Sequence, residues 1–162
     1  MAHYHFVSEW TLEAARGDVW RMLLNSLTWP QWWPGVLWVK QIRPGGTDGI
    51  GDVRRYAWRS RLPYTLVFDM ELLHIEPQSA LHGMARGEVE GLGRWALADG
   101  NGTTRVHYDW NVRTTSRAVN LLSPLARPLI ERNHHAIMRQ GARGLARHLN
   151  ARLLAEHSRT LR

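Results

Sequence analysis

The C-terminal third of the chain carries a helical pattern too long for a compact bundle. From Pro124 to Glu156, Ile130, His134, Ile137, Met138, Gly141, Leu145, Leu149 and Leu153 recur at steps of three and four. Arg132, His135, Arg139, Arg143, Arg147 and Asn150 make the opposite stripe at the same spacing. The spacing predicts one amphipathic helix of about 45–50 Å at 1.5 Å rise per residue. A chain of 162 residues cannot supply parallel helices of that length and still build a core. The apolar face therefore needs a wide, curved sheet to cover it, and the middle of the chain supplies strands.

Residues 3–12 alternate Tyr4, Phe6, Ser8 and Trp10 against His3, His5, Val7 and Glu9, the pattern of a half-buried strand. Val19, Trp20, Leu23, Leu24 and Leu27 then adopt helical spacing, and TWPQWWPG is a second, shorter helix ended by Pro34-Gly35. Further strands are predicted over 36–42, 52–60, 64–72, 81–88, 93–97 and 104–113, with a break at Leu62-Pro63. PGGTDGIG and Asp99-Gly100-Asn101-Gly102 mark turns. Thr114-Thr115-Ser116 closes the sheet and can cap the segment after it, while Ser123-Pro124 opens the long helix and Pro128 kinks or restarts it. No repeat or linker divides the chain, so residues 1–162 are expected to form a single domain.

The order is strand, two short helices, about six hairpin-connected strands and a long C-terminal helix, which is an α+β arrangement. In this order the sequence resembles the helix-grip fold of the START and Bet v 1-like superfamily, in its polyketide cyclase/dehydrase-like branch. The residues that carry the resemblance are the opening strand followed by Ala14-Ala15-Arg16-Gly17-Asp18-Val19-Trp20, and Trp29-Pro30-Gln31-Trp32-Trp33-Pro34-Gly35-Val36. The Gly49-Ile50-Gly51 turn, Ile75-Glu76-Pro77 and the Arg-Asn-His…Met…Gly…Gly-Leu run of the last helix also match. The resemblance implies a curved antiparallel sheet of about seven strands wrapped around the C-terminal helix, with a cavity between them. It implies a lipid or polyketide-like ligand there, or a cyclase/dehydrase acting on one.

Tyr56, Trp58, Phe68, Met70, Trp95, Tyr108 and Trp110 fall on one side of the sheet if the alternation holds, and would line that cavity. Trp33 is expected at its rim, and Asn133, His134, Ile137 and Gly141 on the helix that faces it. A buried Asn133 needs partners, either a ligand or local backbone. His134 is read as acid/base group or core histidine, the second being favoured because no carboxylate partner is evident in the sequence. Gly141 costs helix stability, so open space beside it is the expected reason. Trp29, Trp32, Trp33 and Trp38 are hard to explain as core, because a two-turn helix cannot bury three indoles on one face. At least one should therefore lie at a surface or cavity mouth, as a gate or a peripheral membrane contact, with a well-packed short-helix corner as the equal alternative.

Other chemistry is excluded more simply. There is no cysteine, so thiol catalysis and thiolate metal sites are absent. Glu88, Glu90 and His82 match no ligand spacing, no phosphate-binding loop is present, and neither metal nor cofactor is expected. The net charge of +7 rests on arginine, Lys40 being the only lysine. A basic lipid- or nucleic-acid-binding module is thus an alternative, but the arginines are scattered and no nucleic acid is expected. No apolar run reaches membrane-spanning length and the N-terminus lacks a signal core, so a cytoplasmic location is expected.

Overall fold

The strands pair in the order their hairpins require. A computed structural model describes residues 1–60 and 65–162. The expected break at Leu62-Pro63, and Tyr64 at the head of its strand, lie outside the described residues. The elements are β1 (His3–Leu12), α1 (Arg16–Leu24), a 3-10 helix (Ser26–Gln31), β2 (Val36–Arg43), β3 (Val53–Trp58) and β4 (Leu66–Glu76). They continue as β5 (Ala80–Gly87), β6 (Val89–Asp99), β7 (Thr104–Thr114), α2 (Arg117–His148) and β8 (Leu153–Leu161). One antiparallel sheet runs β2-β3-β4-β5-β6-β7-β1-β8, and it curves around α2 without closing.

The long helix starts and stops about two turns earlier than its apolar spacing predicts. Ser116 caps it by accepting a hydrogen bond from the Val119 N–H at 3.4 Å. The helix then runs through Pro124 and Pro128, both on its exposed face, where the carbonyls they leave without a helical donor can meet water. At the far end Asn150 takes a left-handed conformation, φ 51°. The Ala151 N–H reaches the Ala146 carbonyl at 2.8 Å and the Asn150 N–H the Arg147 carbonyl at 3.2 Å, a Schellman stop. Leu153 therefore lies outside the helix. The tail turns back as β8 and pairs with β1, Ser8 opposite Ser158, which adds an eighth strand to the expected seven.

The Trp29–Trp33 corner decides between the two readings of its indoles. Trp29, Trp32 and Trp33 are all buried, at 6%, 5% and 1% exposure, so none is a surface gate. The short 3-10 helix and the turn after it send the rings toward different neighbours. Trp29 donates to the Met22 carbonyl and Trp33 to the Ile137 carbonyl on α2. The helix makes room with glycine: a Cβ on Gly144 would overlap the Trp32 carbonyl oxygen, and one on Gly141 the Trp33 ring. Trp38 is half-buried on β2, with the Lys40 ammonium 4.7 Å over its ring.

Candidate functional site

Register decides which aromatics meet. Tyr56 faces Phe68 across β3–β4, Trp95 faces Tyr108 across β6–β7, and Trp110 lies opposite Gly93. Trp95 and Tyr108 stack with centroids 4.0 Å apart and planes at 20°. Gly93 is needed where it stands, because a Cβ there would come within 2.8 Å of the Tyr108 hydroxyl and 3.0 Å of Trp110. With no side chain at that position to fill the layer, the Tyr108 and Trp110 rings lean over bare backbone and leave space above them.

That space is a two-lobed cavity, its outer lobe between the sheet and α2 and its inner lobe between the sheet, α1 and the 3-10 helix. The outer lobe holds about 140 Å³ that water-sized molecules can reach. Its walls include Trp33, Trp58, Phe68, Trp95, Tyr108 and Trp110 from the sheet side. Asn133, His134 and Ile137 line it from the helix. The smaller inner lobe, about 60 Å³, adds Tyr56, Met70, Ser26, Asp52 and Arg54. Trp58, Phe68, Trp95, Tyr108 and Trp110 border both lobes. Of the twelve expected site residues, nine line the outer lobe and Tyr56 and Met70 line the inner one. Gly141 is the exception: it packs on Trp33, so the open space expected beside it is filled by an indole.

The outer lobe is apolar with a few buried polar atoms. Tyr4 Oη, Trp58 Nε1 and His134 Nε2, all on lining residues, are sealed from solvent with no hydrogen-bond partner among the described residues. The His134 ring stacks on Phe6 at 4.1 Å. Burial, with a smaller push from His135, lowers its pKa to about 3, so it is a neutral imidazole at physiological pH.

The inner lobe ends in a polar cluster that the strand alternation alone did not reveal. Arg54 Nε lies 2.8 Å from the buried Asp52 carboxylate, and Arg54 Nη1 donates to Ser26 Oγ at 2.9 Å. Tyr56 donates its hydroxyl proton to the same Ser26 oxygen at 2.7 Å. Burial pushes the Tyr56 phenol up to about 12, and burial likewise raises Tyr108, with smaller contributions from Tyr56 and Asp109. Asp52 and Arg54 do alternate with Tyr56 and Trp58 along the strand, so their face was legible. Ser26, contributed by the 3-10 helix, had no signal in the sequence.

The carboxylates read as possible ligands are engaged elsewhere. Glu88 accepts from the Val67 N–H at 2.6 Å and Glu90 pairs with Arg113 at 2.8 Å. No cluster of three metal-ligating side chains occurs among the described residues. Nor is any helix there long and apolar enough to cross a membrane.

The profile of the family described as "polyketide cyclase/dehydrase and lipid transport" matches residues 3–150. The chain belongs to this family. No curated protein sequence matches it. Among solved structures, the ZhuI aromatase/cyclase of Streptomyces sp. R1128 is similar over 92% of this chain and 94% of its own, with TM-score 0.76 and 14% identity. A START superfamily protein of Mycobacterium smegmatis covers 90% and 97%, with TM-score 0.72 and 15% identity. The major latex-like protein 151 of Panax ginseng covers 91% and 97%, with TM-score 0.68 and 10% identity. At such identities the likeness establishes the helix-grip fold shared by the polyketide cyclase, START and Bet v 1 proteins, and the fold alone.

Proposed function

We infer that this family member binds an apolar, aromatic or lipid-like small molecule in the two-lobed cavity. The observation that carries the reading is the combination of an aromatic-walled space with buried polar atoms, Trp58 Nε1 and His134 Nε2 among them, that have no partner among the described residues. Buried polar groups are normally satisfied, and an apolar ligand with one or two oxygens would satisfy these. The titratable side chains Tyr56, Tyr108 and His134 are all neutral at pH 7, the forms suited to hydrogen bonding. They are poorly placed for general acid/base work, which favours groups titrating near the operating pH.

A second reading is a cyclase acting on a ligand that reaches the inner lobe. The observation that favours it is the Asp52–Arg54–Ser26–Tyr56 cluster, whose guanidinium could stabilise charge developing on a ligand oxygen. Titration with the neutral fluorophore 1-aminoanthracene tests binding. It should saturate at one site and draw energy transfer from tryptophan, and Val89→Phe, which grows into the outer lobe, should abolish it with the fold retained. Absence of saturable binding by the folded protein would overturn the binding reading. Consumption of a poly-β-ketone that Arg54→Met stops, without loss of binding, would establish the cyclase instead.

A further inference from the structure

The first half of α2 presents an apolar face to solvent. Leu121 is 84% exposed, Leu125 88% and Leu129 42%. At steps of four they form one stripe. Single exposed leucines are ordinary, but three in register are not. Pro124 and Pro128 are exposed beside them. Arg117 and Arg132, both exposed, stand at the two ends of the stripe. Beyond it, the solvent side of the same helix changes to arginine, at Arg139, Arg143 and Arg147. Glu131 is the only carboxylate in α2, and it is paired with Arg127 at 3.4 Å and lies off the stripe. The other side of this stretch, at Val119, Ile130 and His134, is cavity wall.

We propose that the Leu121–Leu125–Leu129 stripe docks on an anionic lipid bilayer. A helix lying in the interface needs an apolar face a few residues long and a cationic surround, with no carboxylate to repel the headgroups. This stretch has all three. A soluble protein partner would take the leucines equally well, but it would not need a helix whose flanks carry arginine and no free acid. The net charge of +7 works in the same direction. Docking in this orientation sets only the thickness of one helix between the bilayer and the outer lobe. The proposal goes beyond the function inferred above and does not depend on what the cavity holds.

Flotation of the full chain with vesicles tests it. The protein should float with phosphatidylcholine–phosphatidylglycerol vesicles at low salt and less with phosphatidylcholine alone. Added salt should weaken the anionic case. Leu121→Glu with Leu125→Glu should lower partitioning about tenfold or more, since two leucine contacts are lost and two charges added. Far-UV circular dichroism and 1-aminoanthracene affinity should stay as in the parent. Failure of the parent to float at low salt overturns the proposal, as does equal flotation of the double variant. A dimer in sedimentation velocity that the double variant abolishes, with no flotation by the parent, would assign the stripe to a second copy instead. Loss of fluorophore binding by the parent would touch only the cavity reading.

Discussion

Replacing Gly141 by alanine sets two effects of opposite sign against each other. Alanine is the better helix former by about 0.5–1 kcal/mol, and on an exposed face that would decide the outcome. Here the added Cβ would lie 2.8 Å from Trp33 Nε1 and nearer still to two ring carbons. The indole borders the outer lobe on one side but is held on the others. It is 1% exposed, its N–H is held by the Ile137 carbonyl at 2.9 Å, and Trp10, Trp29, Trp32 and Trp58 all lie within 5.7 Å, centroid to centroid. Overpacking a rigid site costs about 1–3 kcal/mol, so steric cost exceeds propensity and the net is a loss of about 0.5–2 kcal/mol. In a domain of this size that lowers Tm by about 2–6 °C, which calorimetry resolves. Gly144→Ala should lose more, because its Cβ meets a backbone carbonyl that no rotamer change can move. In a Trp33→Leu background, Gly141→Ala should become neutral or stabilising, the coupling expected of touching residues. A parent-background Gly141→Ala that melts higher than the parent would refute the seating of α2 on the tryptophan corner.

Three further outcomes rest on single groups. His134 has a folded pKa of about 3, below the ordinary histidine value, so the unfolded chain takes up a proton that the folded one refuses. Stability should therefore fall as pH drops from about 6.5 toward 3, and His134→Phe should flatten that limb in urea titrations across pH. Tyr56→Phe removes the hydroxyl that bonds Ser26 and should cost about 1 kcal/mol by chemical denaturation, with little change in fluorophore affinity if only the outer lobe is occupied. Asn150→Gly should hold or raise Tm, whereas Asn150→Val should lower stability by about 1–2 kcal/mol, because φ 51° suits glycine and penalises a β-branched side chain.

The strand alternation carried most of the site because one face of each strand points at the helix, and a period of two places every second residue there. Tyr56, Trp58, Phe68 and Met70 reach the cavity wall for that reason. What could not be read was anything set by the end of an element. Leu149 and Leu153 continue the helical spacing of Leu145, yet the helix stops between them on the left-handed Asn150. The available signals were that asparagine, a residue tolerated at a helix-ending position, and the exposed–covered alternation of the tail. At the other end, Ser116 outcompeted Ser123-Pro124 as a start because a proline within a helix is tolerable where its face is wet. Whether Trp29, Trp32 and Trp33 form a packed corner or a gate was undecided in the sequence for a different reason. Burying them required glycines more than a hundred residues away, and spacing within one segment cannot show what a distant helix gives up.

Those glycines also explain where the cavity lies. From Gly141 to Ala146 the helix face is Gly, Ala, Gly, Leu and Ala, small enough to bring its backbone against the Trp32 carbonyl and the Trp33 ring. From Val119 to Ile137 the facing residues are larger, and with Tyr4, Phe6, Val89 and Val112 of the sheet opposite they border the outer lobe. The helix is thus jammed at one end and stands off the sheet at the other, and the gap is a wedge. The tryptophans divide accordingly. Trp10 and Trp32 are tightly packed core that lines neither lobe, while Trp29, Trp33, Trp58, Trp95 and Trp110 have one side in the core and the other on the cavity. An enlarged cavity cannot come from the closed end without displacing a backbone contact. Substitutions that tune its volume should act at Val119, Ile130 and Ile137 on the helix and at Val89 and Val112 on the sheet. Shortening Ile130 or Ile137 to alanine should cost stability, by about 2–5 kcal/mol where the space cannot collapse, yet admit a larger fluorophore. The same truncation at Leu145, fully buried at the closed end, should cost as much and admit nothing.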